Sequence, residues 1–472
     1  MQRFDYRFRM YEHLGKVSGD ILAEVQKAAD ELRTTVIDRS QDEMEASIPF
    51  GKMRFPQNVS VQNLIGEMRE IVKDVYGDAY DACPASSVDA AMWMVCRTVL
   101  DPSRRTSGRE LRASYLMPWE KWTSKLSSFG CVHPPRYEGL LWDESRWAGL
   151  SPQRIENLDA VVVPLQGAVY ANHGIAYTRI PFLTEVIPES SIEVMAVTAE
   201  AHIRSLVGFI SQGYDTPGLA GGIRDESGIP ALQLGLGQLA SEFDVPYVVD
   251  SGHSLPLLST GGILPDSSIT VYRLGPDLGS QSPAIIIGQE DLVTPLLKQA
   301  GLHRTPPLLS YAARGAPFAS CVPVPGILWS QVQLLRLLKE RAQRFSEPVN
   351  DLSSIVFTAL DQCPARIKEE LRVTASYGMM AVELNYEDTW RHGIGLPVFT
   401  EQDTRSGTNL LQLGLDLMGA KGVWVHDASV YLSAAWGDLQ DPSLDQDEAT
   451  YAARCVALLL DILSRHSGFC TG

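Results

Sequence analysis

The chain has 472 residues, 45% of them hydrophobic and 21% charged, which is the balance of a globular protein long enough for two or more domains. Its formal net charge of -17 repels phosphate backbones, and no Lys/Arg run offsets it, so nucleic acid is excluded as an expected partner. No apolar run approaches the roughly 18 residues that a membrane span needs.

The opening MQRFDYRFRMYEHLG carries charges with no apolar core behind them, which argues against a secretory signal. The seven cysteines, Cys83, Cys96, Cys131, Cys321, Cys363, Cys455 and Cys470, form no CxxC pair. An odd, unpaired set fits a reduced, cytoplasmic protein. The nine histidines are scattered, with no HExxH and no His/Cys cluster, so no metal site is expected.

Residues 8–34 and 61–76 have helical periodicity. Leu64, Met68, Ile71 and Val75 recur at three- and four-residue steps. SSVDAAMWMVCRTVL (86–100) predicts a helix with serine at its start. AVVVP (160–164), IEVMAVT (192–198), VPYVVD (245–250), SITVYRL (268–274) and AIIIG (284–288) are β-branched and almost continuously apolar. Such runs predict strands covered on both faces, as in a parallel sheet. ALQLGLGQLASEF (231–243) supplies a helix between two of them, and the alternation predicts an α/β domain.

The tail has another texture. LWSQVQLLRLLKERAQR (328–344) predicts an amphipathic helix. SSIVFTAL, MMAVEL, GVWVH and ASVYLSAAW predict short strands, and EATYAARCVALLLDILSRH predicts a closing helix. The expected organisation is an N-terminal helical segment (1–60), a large α/β domain with a mostly parallel sheet (61–329) and a smaller α+β C-terminal domain (330–472).

Chemistry gathers around VVDSGHS. A pyridine nitrogen stays protonated when a carboxylate sits against it in a dry site. Asp250 ends a predicted strand, and α/β sheets take ligands outside the carboxyl ends of their strands. His253, three residues on, is placed to donate to a phenolic oxygen on the same ring. The same Asp250 also suits a turn or a helix cap, and His253 a surface position. VVDSGHS resembles the "VDAAH" segment of fold-type-I pyridoxal-phosphate enzymes, especially the cysteine desulfurase and selenocysteine synthase branches. The resemblance spans residues 60–460 and is carried by specific motifs in three places.

That resemblance implies an aspartate aminotransferase-like large domain. It implies a bound pyridoxal 5'-phosphate or pyridoxamine 5'-phosphate, and a phosphate held at a helix start bearing small hydroxyl residues. Ser86 and Ser87 stand at such a start, where backbone N–H groups and the positive helix end favour an anion. They are equally good helix caps. The family's ring stacks on an aromatic or histidine further on, which points to Tyr115 or Trp119; the aromatic cluster also suits a core.

The family's Schiff-base lysine has no counterpart. Against VYRLGPDLGSQSPAIIIG, its position falls on or next to Pro276, and a phosphate-holding serine falls on Arg273. No lysine lies between Lys125 and Lys298. The cofactor then binds without a covalent bond. Arg273 is left to hold the phosphate in a two-pronged contact, or to pair with Asp266 or Asp277. His253 becomes the obvious proton carrier.

Two further arginines are candidates for a substrate carboxylate: Arg224 in the glycine-rich GYDTPGLAGGIRDESG, and Arg405 in TRSGTN. The expected function is lyase or transferase chemistry on a small amino-acid-like substrate, in a homodimer or higher homo-oligomer. The rival expectation is a degenerate member that serves a lysine-bearing paralogue as a binding or scaffold subunit. An unrelated hydrolase built on Asp250 and His253 lacks the G-x-S-x-G elbow.

Overall fold

The computed structural model describes residues 16–32, 60–100, 114–117, 178–179, 192–193, 196, 199–200, 206–212, 231–252, 254–256, 268–275, 282–303, 317–341, 347–365, 368, 371–376, 381–385, 410–426, 429–434 and 444–466. Seven strands form one sheet: β1 (Tyr80–Ala85), β2 (Ser114–Met117), β3 (Thr178–Arg179), β4 (Leu206–Gln212), β5 (Tyr247–Ser251), β6 (Ser268–Arg273) and β7 (Ala284–Gln289). Their spatial order is β1-β7-β6-β5-β4-β2-β3. β7 is antiparallel to both its neighbours, and the remaining pairings are parallel. β1 therefore runs in the same direction as β6. The molecule is α/β, with a mostly parallel sheet, and β7 departs from the parallel expectation.

The helices among the described residues are α1 (residues 16–32), α2 (Val61–Tyr76), α3 (Val88–Thr98), α4 (Ala231–Glu242), α5 (Glu290–Gln299), α6 (Pro325–Arg341), α7 (Glu347–Leu360), α8 (Leu410–Met418) and α9 (Gln446–His466). Strand alternation explains how they cover the sheet. Phe209, Tyr247 and Val249 point to one face and pack with Leu236, Leu239 and Ala240 of α4. Ile210, Val248 and Val271 belong to the larger core that includes Ala91, Met92 and Val95 of α3. α2 buries Leu64, Ile65, Met68, Ile71 and Val72, the stripe that its periodicity predicts.

Two predicted strands are helical. Within 192–198, the described residues 192, 193 and 196 are helical. Ile192, Ala196 and Ala199 are spaced four and three apart, so they share one helical face, and Ile192 and Ala196 pack on the cluster that contains Ala199. A Cβ on Gly235 would stand 2.0 Å from Ile192 Cδ1, so that close approach depends on glycine. The strand beside β5 is β4 instead. SSIVFTAL (353–360) lies in α7, where Leu352, Val356, Ala359 and Leu360 are buried. The hydroxyls of Ser353 and Thr358 donate to the carbonyls four residues back, Val349 at 2.8 Å and Ser354 at 2.9 Å, so residues that favour strands are accommodated in a helix. The AVVVP segment lies outside the described residues.

A second sheet is antiparallel throughout: β8 (Arg372–Ser376), β9 (Ala381–Asn385), β10 (Val423–His426) and β11 (Ser429–Ser433), in the order β10-β11-β9-β8. α7 packs on β8, β9 and α9. α6, most of which the sequence places beyond 330, packs on α2. Its Gln331 donates to Ala85 O at 3.2 Å and Ala284 O at 2.9 Å, tying the helix to β1 and β7.

α1 docks through Ile21, Val25 and Ala29, all fully buried. Glu24 reaches the last turn of α9, 2.6 Å from Arg465 and 2.7 Å from His466 Nε2. Basic groups at a helix C-terminus also complement its dipole. The hydrogen bond from His466, and then Arg465, holds the Glu24 carboxyl below its ordinary value, although burial opposes the shift. No helix among the described residues is long and apolar enough to cross a membrane.

Candidate functional site

The carboxyl ends of β1, β5 and β6 meet the start of α3, and the residues there form one connected patch. Asp250 pairs with Val271 on β6, and Arg273 lies two residues further along that strand. In-register neighbours share a face, so Asp250, Val271 and Arg273 all point toward α3. The thiol of Cys96 on α3 agrees: burial pushes it far up, and the nearby Asp250 carboxylate adds to the shift. Asp250 is half-buried, and its Oδ1 accepts from Gly252 N at 3.2 Å, the local turn that the sequence left open.

Gly252 joins this carboxylate to the helix. A Cβ there would lie 2.2 Å from Val88 Cγ1, so the absence of a side chain lets α3 come close. At α3's start, Ser87 is the cap and accepts from Ala90 N at 3.0 Å. Val88 N donates to Ser282 O at 2.9 Å, and Ser86 N donates to Cys321 O at 2.7 Å. The expectation of free backbone amides is therefore corrected. The amides of Ser86, Val88 and Ala90 at this start are taken by the chain's own acceptors, which leaves fewer of them to meet an anion beside the serine hydroxyls.

Ser282 closes the patch. It is 4% exposed, and its Oγ has no hydrogen-bond partner among the described residues. It sits against Gly275, where a Cβ would lie 2.5 Å from that Oγ. Gly275 O in turn accepts from Arg273 Nη1. Arg273 is fully buried, and its backbone N–H donates to Ser254 O at 3.0 Å. A guanidinium keeps its charge even there. Ser86, Ser87, Asp250 and Arg273 are thus brought together through Gly252, Val88, Ser282 and Gly275. The last four have no sequence signal, because their roles come from close approach and an orphaned hydroxyl.

Tyr115 lies on β2, between β3 and β4, with only its backbone described. His253, Trp119, Arg224, Arg405 and Pro276 lie outside the described residues. The described cysteines, Cys83, Cys96, Cys321, Cys363 and Cys455, are buried and form no disulfide with one another. Among the described residues, no group of three or more His, Cys, Asp or Glu is arranged to hold a metal ion.

No protein-family model matches the chain, and no curated protein matches it. Solved structures do. A Thermus thermophilus aspartate aminotransferase double mutant aligns over 93% of this chain and 88% of its own, with 13% identity and a TM-score of 0.42. A multiple-substrate aminotransferase from Thermococcus profundus aligns over 94% and 88%, with 10% identity and a TM-score of 0.44. A SepCysS–SepCysE N-terminal domain complex aligns over 84% and 85%, with 9% identity and a TM-score of 0.42.

The patch has a carboxylate to face a ring nitrogen and a buried, unpartnered Ser282 hydroxyl beside the helix start. No amine for a covalent link lies anywhere between Lys125 and Lys298. The carboxylate and the hydroxyl are chemically compatible with a phosphorylated pyridine ring.

Proposed function

We propose that the chain binds pyridoxal 5'-phosphate or pyridoxamine 5'-phosphate non-covalently and acts on an amino-acid-like substrate, in lyase or transferase chemistry. The observation that carries this is the half-buried Asp250 at the end of a parallel strand, linked through Gly252 and Val88 to the hydroxyl-bearing start of α3. When bound, the ring would withdraw electrons from the substrate carbon beside its nitrogen.

The protein's part is orientation and proton handling. The Asp250 carboxylate keeps the proton on the ring nitrogen. The hydroxyls of Ser86 and Ser87 hold the phosphate, with the buried charge of Arg273 behind them. Tyr115 or Trp119 covers the ring face, and His253 carries the proton to and from the substrate. Arg224 and Arg405 take the substrate carboxylate, and the site is completed in a homodimer.

Titrating the purified protein with each vitamer, followed by fluorescence, tests the reading. Saturable binding is expected. Borohydride treatment followed by denaturation and intact-mass measurement should show no protein–cofactor adduct. Failure of both vitamers to bind overturns the reading, and a covalent adduct overturns its lysine-free part.

A second reading is favoured by the closed state of the helix start, where Cys321 O and Ser282 O already engage the Ser86 and Val88 amides. In it the chain is a degenerate subunit that supports a lysine-bearing paralogue. Co-purification of such a paralogue, with no vitamer bound to this chain alone, supports it; turnover by the isolated chain removes it.

A further inference from the structure

Ser282 Oγ is an anomaly that needs a physical reason. A buried hydroxyl without a partner, on a residue that is 4% exposed, has lost its water and gained nothing. Its surroundings are specific. The same residue's carbonyl holds Val88 N at 2.9 Å, at the first turn of α3. Its hydroxyl faces the missing side chain of Gly275, and Gly275 is fixed by the guanidinium of Arg273.

Another buried, unpartnered atom stands near this end of the sheet: Oε1 of Gln331, whose amide nitrogen is committed to Ala85 O and Ala284 O. The two atoms differ chemically. Gln331 Oε1 only accepts, so it suits a water. A serine hydroxyl also donates, and a phosphate dianion accepts only.

We propose that Ser282 is the principal hydroxyl donor to the phosphate of the non-covalently held vitamer, compensating for the amides that α3 has committed elsewhere. This rests on the cofactor reading above. Ser282 and Gly275 then act as a pair. Gly275 leaves the hydroxyl its space, and Arg273 fixes Gly275 while placing a permanent positive charge on the same side.

The test titrates pyridoxamine 5'-phosphate and its dephosphorylated form, pyridoxamine, into wild type, Ser282→Ala and Gly275→Ala, with the melting temperature of each ligand-free protein measured in parallel. A hydrogen bond to a charged group corresponds to about a 10- to 100-fold change in affinity. Ser282→Ala is expected to weaken the phosphorylated form by that factor and to leave pyridoxamine binding unchanged. Its ligand-free melting temperature should be equal or higher, because an unsatisfied hydroxyl has been removed. Gly275→Ala should move phosphate-dependent affinity in the same direction.

Equal affinity of wild type and Ser282→Ala for the phosphorylated form overturns this proposal and leaves the cofactor reading standing. A drop in ligand-free stability on Ser282→Ala also overturns it, since the hydroxyl then has a structural role. No binding of either compound to wild type overturns the cofactor reading and this proposal with it.

Discussion

Arg69 and Asp81 face each other through two N–H···O bonds of 2.6 Å, and Asp81 is fully buried. The pair fastens α2 to β1, and Asp81 Oδ1 also accepts from Ala82 N at 2.8 Å. The contact raises the pKa of Arg69, with the Asp81 hydrogen bond as the largest cause. Arg69→Met would strand a buried carboxylate. Urea unfolding should show a loss of about 3–5 kcal/mol, with much of it regained when Asp81→Leu is added. A single-variant loss under about 1 kcal/mol would mean that water already reaches the carboxylate. At this scale the candidate site is half legible. Asp250 is visible in the sequence because it ends an apolar strand, where α/β sheets take ligands, although the same place suits a turn. Ser282 is not, since its interest lies in the hydrogen bond it lacks.

Secondary elements were legible where their period was long. α2 and α4 occupy their predicted residues almost to the end, and α9 begins two residues before its predicted start. Short apolar runs carry no such period, and both of the strands described as helical came from them. β4 escaped notice for the converse reason: Gly208 and Ser211 interrupt its apolar run. Gly208 is nevertheless where β4 needs glycine. A Cβ there would stand 2.5 Å from Leu100 Cδ2 and 2.8 Å from the backbone oxygen of Pro246. The carbonyl belongs to the chain entering β5 and cannot swing aside. Gly208→Ala should cost about 1–3 kcal/mol by forcing β4 and β5 apart, measured by thermal or urea unfolding. An unchanged midpoint would show that Leu100 and the β4–β5 pairing yield to the added methyl.

Across the whole molecule, one core cluster runs from Ile21 to Leu463, and the contact between α1 and α9 is its most distant tie. The sequence predicted both helices and could not pair them, because periodicity says nothing about partners. The depressed Glu24 value fixes the sign of its pH dependence. A carboxyl lowered on folding stabilises above its ordinary value of 4.5, and that contribution disappears as pH falls through the lower, folded value. The hydrogen-exchange protection of residues 21–29, corrected for intrinsic rates, should therefore fall below about pH 4.5, and Glu24→Gln should flatten the profile. Identical profiles in the two proteins would assign the docking to Ile21, Val25 and Ala29 alone. The Glu24–His466 contact spans 442 residues of sequence. At about 5–20 residues per second, a ribosome takes roughly 20–90 s to make that span. During that interval the Glu24 carboxylate lacks its partners on α9. The Glu24 contact is thus a tie that only α9 can complete.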